Sequence, residues 1–282
     1  MSGSTVATEN SRRKILEKIR NKVKHKLLLI LRRLGIRIVN STQLSALENS
    51  GLNDIVARWS QENVPPGLLE YVFKNYQKSH SQLQQDLVAL YYEELNQSEI
   101  DPFFVEFGAT DGITLSNSYL LEKTGWHGLL AEPDKNWHKK LFQSRSAVID
   151  TRCVYSTSGK LVPFRESLVG ELSGIVEFGN NDGWRETRKI GAILQVETVS
   201  LLDFLKQNNA PLRIDFLSID TEGSEFAIIE NFDFCEWDIR FVAIEHNFTS
   251  SKEKIIEKML NSGYMQVFPQ ISAWDVWFLK KS

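Results

Sequence analysis

Beyond Asp101-Pro102 the chain alternates short apolar runs with amphipathic stretches, and this alternation limits its possible folds more than any other feature. Apolar runs bounded by turn residues read as buried strands, and the stretches between them supply the crossovers that parallel strands need. The predicted strands are 103–107, 128–131, 147–149, 214–219, 241–244, 264–268 and 276–279. The predicted helices are 116–123, 136–142, 201–207, 224–231 and 251–261. Such a pattern predicts an α/β domain whose mostly parallel sheet is covered on both faces, with ligands held beyond the carboxyl ends of the strands. Only 269–275 separate the last two strands, which predicts an antiparallel hairpin.

The interval 156–200 fits the alternation poorly, with six glycines, polar clusters and Trp184. It reads as an insertion, part hairpin and part loop, overhanging the strand ends where a substrate would be selected. Before residue 101 the texture differs again. Residues 41–100 read as polar helices interrupted at Pro65-Pro66-Gly67, and residues 11–34 as one amphipathic helix. The expected organisation is therefore 1–40, a basic helical extension; 41–100, a helical region; and 101–282, the α/β domain with its insertion at 156–200.

Charge narrows the function. The net charge of −3 hides eleven Lys/Arg against Glu9 and Glu17 in residues 1–40, so the rest of the chain is acidic. An acidic body repels phosphates, which disfavours nucleic acid as the partner. The basic helix over 11–37 suits either peripheral contact with an anionic membrane or docking on the acidic body of the same chain. Two cysteines, Cys153 and Cys235, are too few for a disulfide framework or a cysteine zinc site, so a reducing, cytoplasmic setting is expected, at the inner face of a membrane if that helix takes the first course. The longest early apolar run, 27–31, falls far short of the roughly 20 residues of a membrane span.

Four strand ends carry candidate chemistry. In Phe103-Phe104-Val105-Glu106-Phe107-Gly108-Ala109-Thr110-Asp111-Gly112 a buried strand runs into a turn with two glycines and two acids. The glycines permit close approach of a ligand, while the acids would repel a pyrophosphate and suit a ligand carrying an ammonium and a sulfonium. A dinucleotide fingerprint would need a third glycine and an uncharged cradle. Glu132, ending the next strand, is placed to accept the hydroxyls of an adenosine ribose, although a helix-capping role would also suit it. Asp220 and Glu222 end the strand over 214–219, and carboxylates converging there need a cation, a metal or raised pKa values to coexist. In Val242-Ala243-Ile244-Glu245-His246-Asn247, His246 could serve as a general base or join Asp220 and Glu222 as a metal ligand, against the ordinary alternative of a structural histidine.

These motifs, together with Ser116-Asn117-Ser118, Leu121-Glu122-Lys123, Gly125-Trp126, Gly128-Leu129-Leu130 and Glu132-Pro133, resemble the FkbM-type family of S-adenosylmethionine-dependent methyltransferases from Phe103 onward. The resemblance implies a class I methyltransferase fold, Rossmann-like, with a seven-stranded, mostly parallel sheet and an antiparallel C-terminal hairpin. It further implies that Glu106, Gly108 and Asp111, in the turn shared with Ala109 and Gly112, hold the methionine part of S-adenosylmethionine and that Glu132 holds its ribose. Asp150 and Cys153 would border the adenine, while Asn117 and Asp220 would reach the cofactor or acceptor. Thr110 stands where the family usually has Asn, a mild departure.

The activity implied is methyl transfer to a hydroxyl of a saccharide or natural product, by in-line displacement that depends mainly on positioning. His246, Asp220 and Glu222 are the catalytic candidates, and the same three would hold a divalent ion such as magnesium. A nucleotide-sugar oxidoreductase would need a phosphate cradle that is missing from the glycine turn. The other rival is an inactive scaffold of the same fold, which the joint presence of Glu106, Glu132, Asp220, Glu222 and His246 disfavours.

Overall fold

A computed structural model describes residues 52–96, 99–167, 172–178 and 191–281. The chain divides into two compact units between Phe73 and Lys74. The first contains helix α1 (Leu52–Trp59), and α2 (Pro66–Asn75) runs across the division. Pro66 stands at the first helical position of α2, where its missing N–H leaves nothing unsatisfied that was not already so. The division lies earlier than the change of texture at 100/101, so α3 (Gln85–Asn96) is grouped with the α/β body. The basic helix predicted over 11–34 and Trp184 lie outside the described residues. Among the described residues no helix is long and apolar enough to cross a membrane.

The second unit is built on a seven-stranded sheet. Its strands are β1 (Phe103–Phe107), β2 (His127–Ala131), β3 (Val148–Asp150), β8 (Arg213–Ile219), β9 (Asp238–Glu245), β10 (Tyr264–Val267) and β11 (Asp275–Lys280). They lie in the order β10-β11-β9-β8-β1-β2-β3. β1 pairs in parallel with β2 and β8, β2 with β3, and β8 with β9, while β11 runs antiparallel to both β9 and β10. The predicted hairpin is present, with its return strand inserted between β9 and β10.

The helices between these strands are α4 (Tyr119–Lys123), α5 (Lys135–Ser144), α6 (Leu201–Gln207), α7 (Glu225–Ile229) and α8 (Lys252–Asn261). Both sheet faces are dry. On one, Val105, Phe107, Leu129, Leu217, Ile219, Val242 and Ile244 pack with Phe204 of α6 and Met259 of α8. On the other, Phe216 stacks on Phe241 at 5.1 Å between ring centroids, and Phe241 meets the fully buried Trp277 edge-on at 6.0 Å. Burial on both sides is what makes these strands read as unbroken apolar runs.

The interval 156–200 is more regular than its glycines and polar clusters predict. β4 (Cys153–Tyr155), β5 (Leu161–Ser167), β6 (Gly174–Ile175) and β7 (Gly191–Ser200) form a second sheet in the order β4-β7-β5-β6. β7 is half-solvated, so its sequence alternates polar and apolar residues rather than showing a buried run. Cys153, Phe164 and Ile175 give this sheet a small core of its own. Ser173 ties it back to the main body by donating to Asp134, the N-cap of α5, at 2.8 Å.

One boundary shift matters for the site. The helix predicted from 116 begins at Tyr119, because the Ser116 hydroxyl accepts the backbone N–H groups of Ser118 and Tyr119 and holds 116–118 as a turn. The strand order reverses direction between β1 and β8, and such a switch point opens a crevice at the strands' carboxyl ends.

Candidate functional site

A cavity of about 540 Å³ fills that crevice, a volume within the range of small-molecule sites. Its floor is the turn after β1. Gly108 has a left-handed backbone (φ +78°), and a Cβ there would lie 2.0 Å from the carbonyl oxygen of Asp220 at the end of β8. Glycine is thus required twice, by the dihedral and by the contact between the two strand ends. The Gly108 and Ala109 N–H groups donate to the Ala131 carbonyl at 3.1 and 3.3 Å, anchoring the turn to β2 as well.

Of the residues read as cofactor ligands, Gly108, Asn117, Glu132, Cys153 and Asp220 line this cavity. Glu132 is 4% exposed; its two carboxylate oxygens accept the N–H groups of Thr110 and Asp134, each at 2.8 Å. Burial pushes its pKa up to about 7 against the pull of those two donors, and the charges of Asp134 and Asp220 push the same way. Asn117 donates to the Ser218 hydroxyl at 2.9 Å, joining the turn before α4 to β8. Cys153 belongs to an apolar wall, where burial raises its thiol to about 12 and leaves it unreactive.

Glu106, Ala109, Asp111, Gly112 and Asp150 are not in the cavity wall, and each is engaged elsewhere. Glu106 accepts from the Asn117 N–H at 2.6 Å and from the hydroxyls of Ser116 and Ser118, with the Arg145 guanidinium 3.7 Å away. Asp111 accepts from the Ile113 and Thr114 N–H groups and the Thr114 hydroxyl, which lowers its pKa against burial. Gly112 packs beside Leu141, Ser144 and Arg145, and Ala109 is buried. Asp150 pairs with Arg152 at 2.6 Å and also accepts from Asn208. Backbone and guanidinium donors placed nearby by the fold have claimed these acids, so they order the floor from behind.

The far wall brings Asp220, Glu222 and Glu245 together, with one carboxylate oxygen from each lying within 4.8 Å of the other two. The strand register explains this: Ile219 of β8 pairs with Ile244 of β9, so Asp220 and Glu245 leave neighbouring strands side by side. His246 is the residue that the structure separates from the set. Successive strand residues point to opposite faces, so Glu245 lines the cavity while His246 is buried away from it. The Phe248 N–H donates to His246 Nδ1 at 2.9 Å, and burial together with the Lys252 ammonium lowers the ring's pKa to about 4. The three-residue metal set expected from the sequence is corrected accordingly: Glu245 stands where His246 was expected. The missed signal was parity, since Ala243 and Glu245 share a face and His246 does not.

The remaining wall is uncharged or acidic. Gln85 donates to Asp275 at 2.8 Å, and both face the cavity, as do Trp274 and Phe164. Among the described residues five carboxylates line it, those of Glu132, Asp220, Glu222, Glu245 and Asp275, and no lysine, arginine or histidine does. Thr110, Leu115, Glu222, Asn247 and Phe248 all line it with left-handed backbones, φ between 42 and 60°. Non-glycine residues pay for that conformation, and its concentration around a single cavity marks a functional site.

A strand-end cavity at the switch point of a doubly covered sheet, floored by a glycine turn and walled by acids, has the size and charge to suit a small, cation-bearing ligand. Residues 106–280 match the Methyltransferase FkbM domain, which is more than half of the chain. The chain belongs to that family, and the family assigns it methyl transfer. No curated protein matches the chain.

Proposed function

We propose that the protein is an S-adenosylmethionine-dependent O-methyltransferase acting on an uncharged hydroxyl compound, most simply a sugar hydroxyl of a glycan or glycosylated natural product. The mixed sheet, with a reversed strand between β9 and β10, is compatible with a methyltransferase fold and supports this reading. The observation that carries the reading is the gathering, around one cavity, of the Gly108 turn, Glu132, Asp220 and Glu222. The Gly108 turn and Glu132 suit a nucleoside with a cationic amino-acid tail: a tight turn on the cavity floor, and a buried acid at the end of β2 for the ribose hydroxyls.

When bound, the cofactor would supply a methyl group already made electrophilic by its sulfonium. The chain's own residues then hold the acceptor oxygen in line with it, exclude water through the apolar wall of Phe164, Ile175 and Cys153, and take the hydroxyl proton. In this reading Asp220, which ends β8 and lines the cavity, takes that proton. An acceptor bearing phosphate, sulfate or carboxylate would meet five acids and no cationic side chain among the described lining residues, so neutral acceptors are favoured.

Calorimetric titration with S-adenosylmethionine and S-adenosylhomocysteine, beside NAD and a Glu132→Ala variant, tests the cofactor. Binding of both sulfur ligands by the native chain, loss in the variant and silence with NAD are the expected results. If neither sulfur ligand binds, the reading fails and a binding scaffold takes its place. Radiolabelled methyl transfer to matched neutral and anionic saccharides then tests the acceptor class, with transfer confined to the neutral set.

A further inference from the structure

We infer that Asp220, Glu222 and Glu245 form a site for a hard divalent cation, magnesium or manganese, at the acceptor end of the cavity. Two independent observations support it. One oxygen from each carboxylate lies within 4.8 Å of the others, at the ends of β8 and β9 and on the cavity wall. Glu245 is only 9% exposed, and its Oε2 is buried with no hydrogen-bond partner. A buried polar oxygen without a donor costs about 1–3 kcal/mol, and this one sits in a wall where no described lysine, arginine or histidine reaches. A cation would satisfy that oxygen and remove the repulsion among the three acids together.

The donor set indicates the kind of ion. All three ligands are carboxylate oxygens, and neither Cys nor His belongs to the group, which favours hard cations over zinc, copper or nickel. Oxygens bound to one magnesium at about 2.0–2.1 Å can lie no more than roughly 4.2 Å apart, so the carboxylates would draw in slightly. The cavity side leaves positions open for water and a hydroxyl. The site is read from the chain's own carboxylates, and it rests on the methyltransferase reading only in placing an acceptor hydroxyl beside the ion. The acids would hold such an ion so that its Lewis acidity anchors and polarises that hydroxyl.

The test uses the full chain freed of metal with EDTA. Manganese titration followed by electron paramagnetic resonance should show a single saturable site, competed by magnesium. Glu245→Gln and Asp220→Asn should each weaken it by at least the roughly 10- to 100-fold that loss of a group merely orienting a ligand costs. His246→Gln should bind manganese like the native chain. Manganese should also raise the melting midpoint of the native chain and leave that of Glu245→Gln unmoved, with Asp220→Asn deciding if the first variant does not fold. No saturable manganese binding by the native chain, or native binding in the two carboxylate variants, overturns the site. Calorimetry with S-adenosylmethionine in EDTA separates the two readings. Cofactor binding without a manganese site overturns the ion alone, whereas a manganese site without cofactor binding overturns only the methyl-transfer reading.

Discussion

Glu106 and Glu245 both sit on buried strands beside the same crevice, yet their surroundings are opposite. Glu106 is held by three residues of the 116–118 turn and by the Arg145 guanidinium, which itself also pairs with Glu122 at 2.8 Å and donates to the Gly112 carbonyl. Glu245 has a buried oxygen with no partner and faces Asp220 and Glu222. Sequence position does not separate these two acids. The difference teaches that a buried acid supplied with donors is architecture, while a buried acid left without them is available to a ligand.

The largest expected effect comes from breaking the satisfied side. Arg145→Met should destabilise the chain by about 3–5 kcal/mol, because it removes the buried guanidinium that balances Glu106 and pairs with Glu122. Arg145 is 6% exposed and also packs against the Phe104 and Tyr119 rings, so the loss should appear in urea denaturation as a lower midpoint. If the midpoint stays, the contrast between the two acids is wrong.

Gly108→Ala acts next. The new Cβ would sit 2.0 Å from the Asp220 carbonyl oxygen at φ +78°, so the two strand ends must part. About 1–3 kcal/mol of backbone strain and loss of cofactor binding are expected, read by thermal melting and calorimetry.

Glu132 sharpens the comparison through pH. Its folded pKa is about 7, raised from an ordinary 4.5, so the folded state holds the proton more tightly than the unfolded chain does. The resulting stability is complete below about 4.5 and is lost as pH rises through 7. Without cofactor, the native melting midpoint should therefore fall across that window more steeply than that of Glu132→Gln. Cofactor affinity should run the other way, gaining as the carboxylate ionises. Equal slopes in the two proteins would show that burial does not govern this group.

The smallest effect belongs to the unsatisfied side. Glu245→Gln removes a like charge from beside Asp220 and Glu222, so metal-free protein should melt slightly higher, where each 1 kcal/mol gained is about 2–4 °C. A large drop instead would give Glu245 an architectural role like that of Glu106.

Much of the frame was legible in the sequence. Every predicted strand recurs within a few residues, because burial on both faces writes a continuous apolar run into the chain. Gly108, Glu132 and Asp220 were marked by their places at strand ends, and all three line the cavity. The second sheet was not legible, since half-solvated strands such as β7 carry polar residues and resemble loops. Glu106, Asp111 and Asp150 were marked as ligands by their type and position; Thr114 and Arg152 engage the last two from within three residues, whereas the engagement of Glu106 by the 116–118 turn depends on tertiary structure.

The sequence by itself determined an α/β sheet, its antiparallel hairpin, the glycine turn and the acidic strand ends, because helix and strand periods and backbone sterics are local properties. Tertiary structure decided which acids are held behind the floor and which line the cavity, and that Glu245 rather than His246 joins Asp220 and Glu222. The physical reason is register: β8 beside β9 sets which faces meet, and a difference of a single residue along a strand turns a side chain from the cavity into the core.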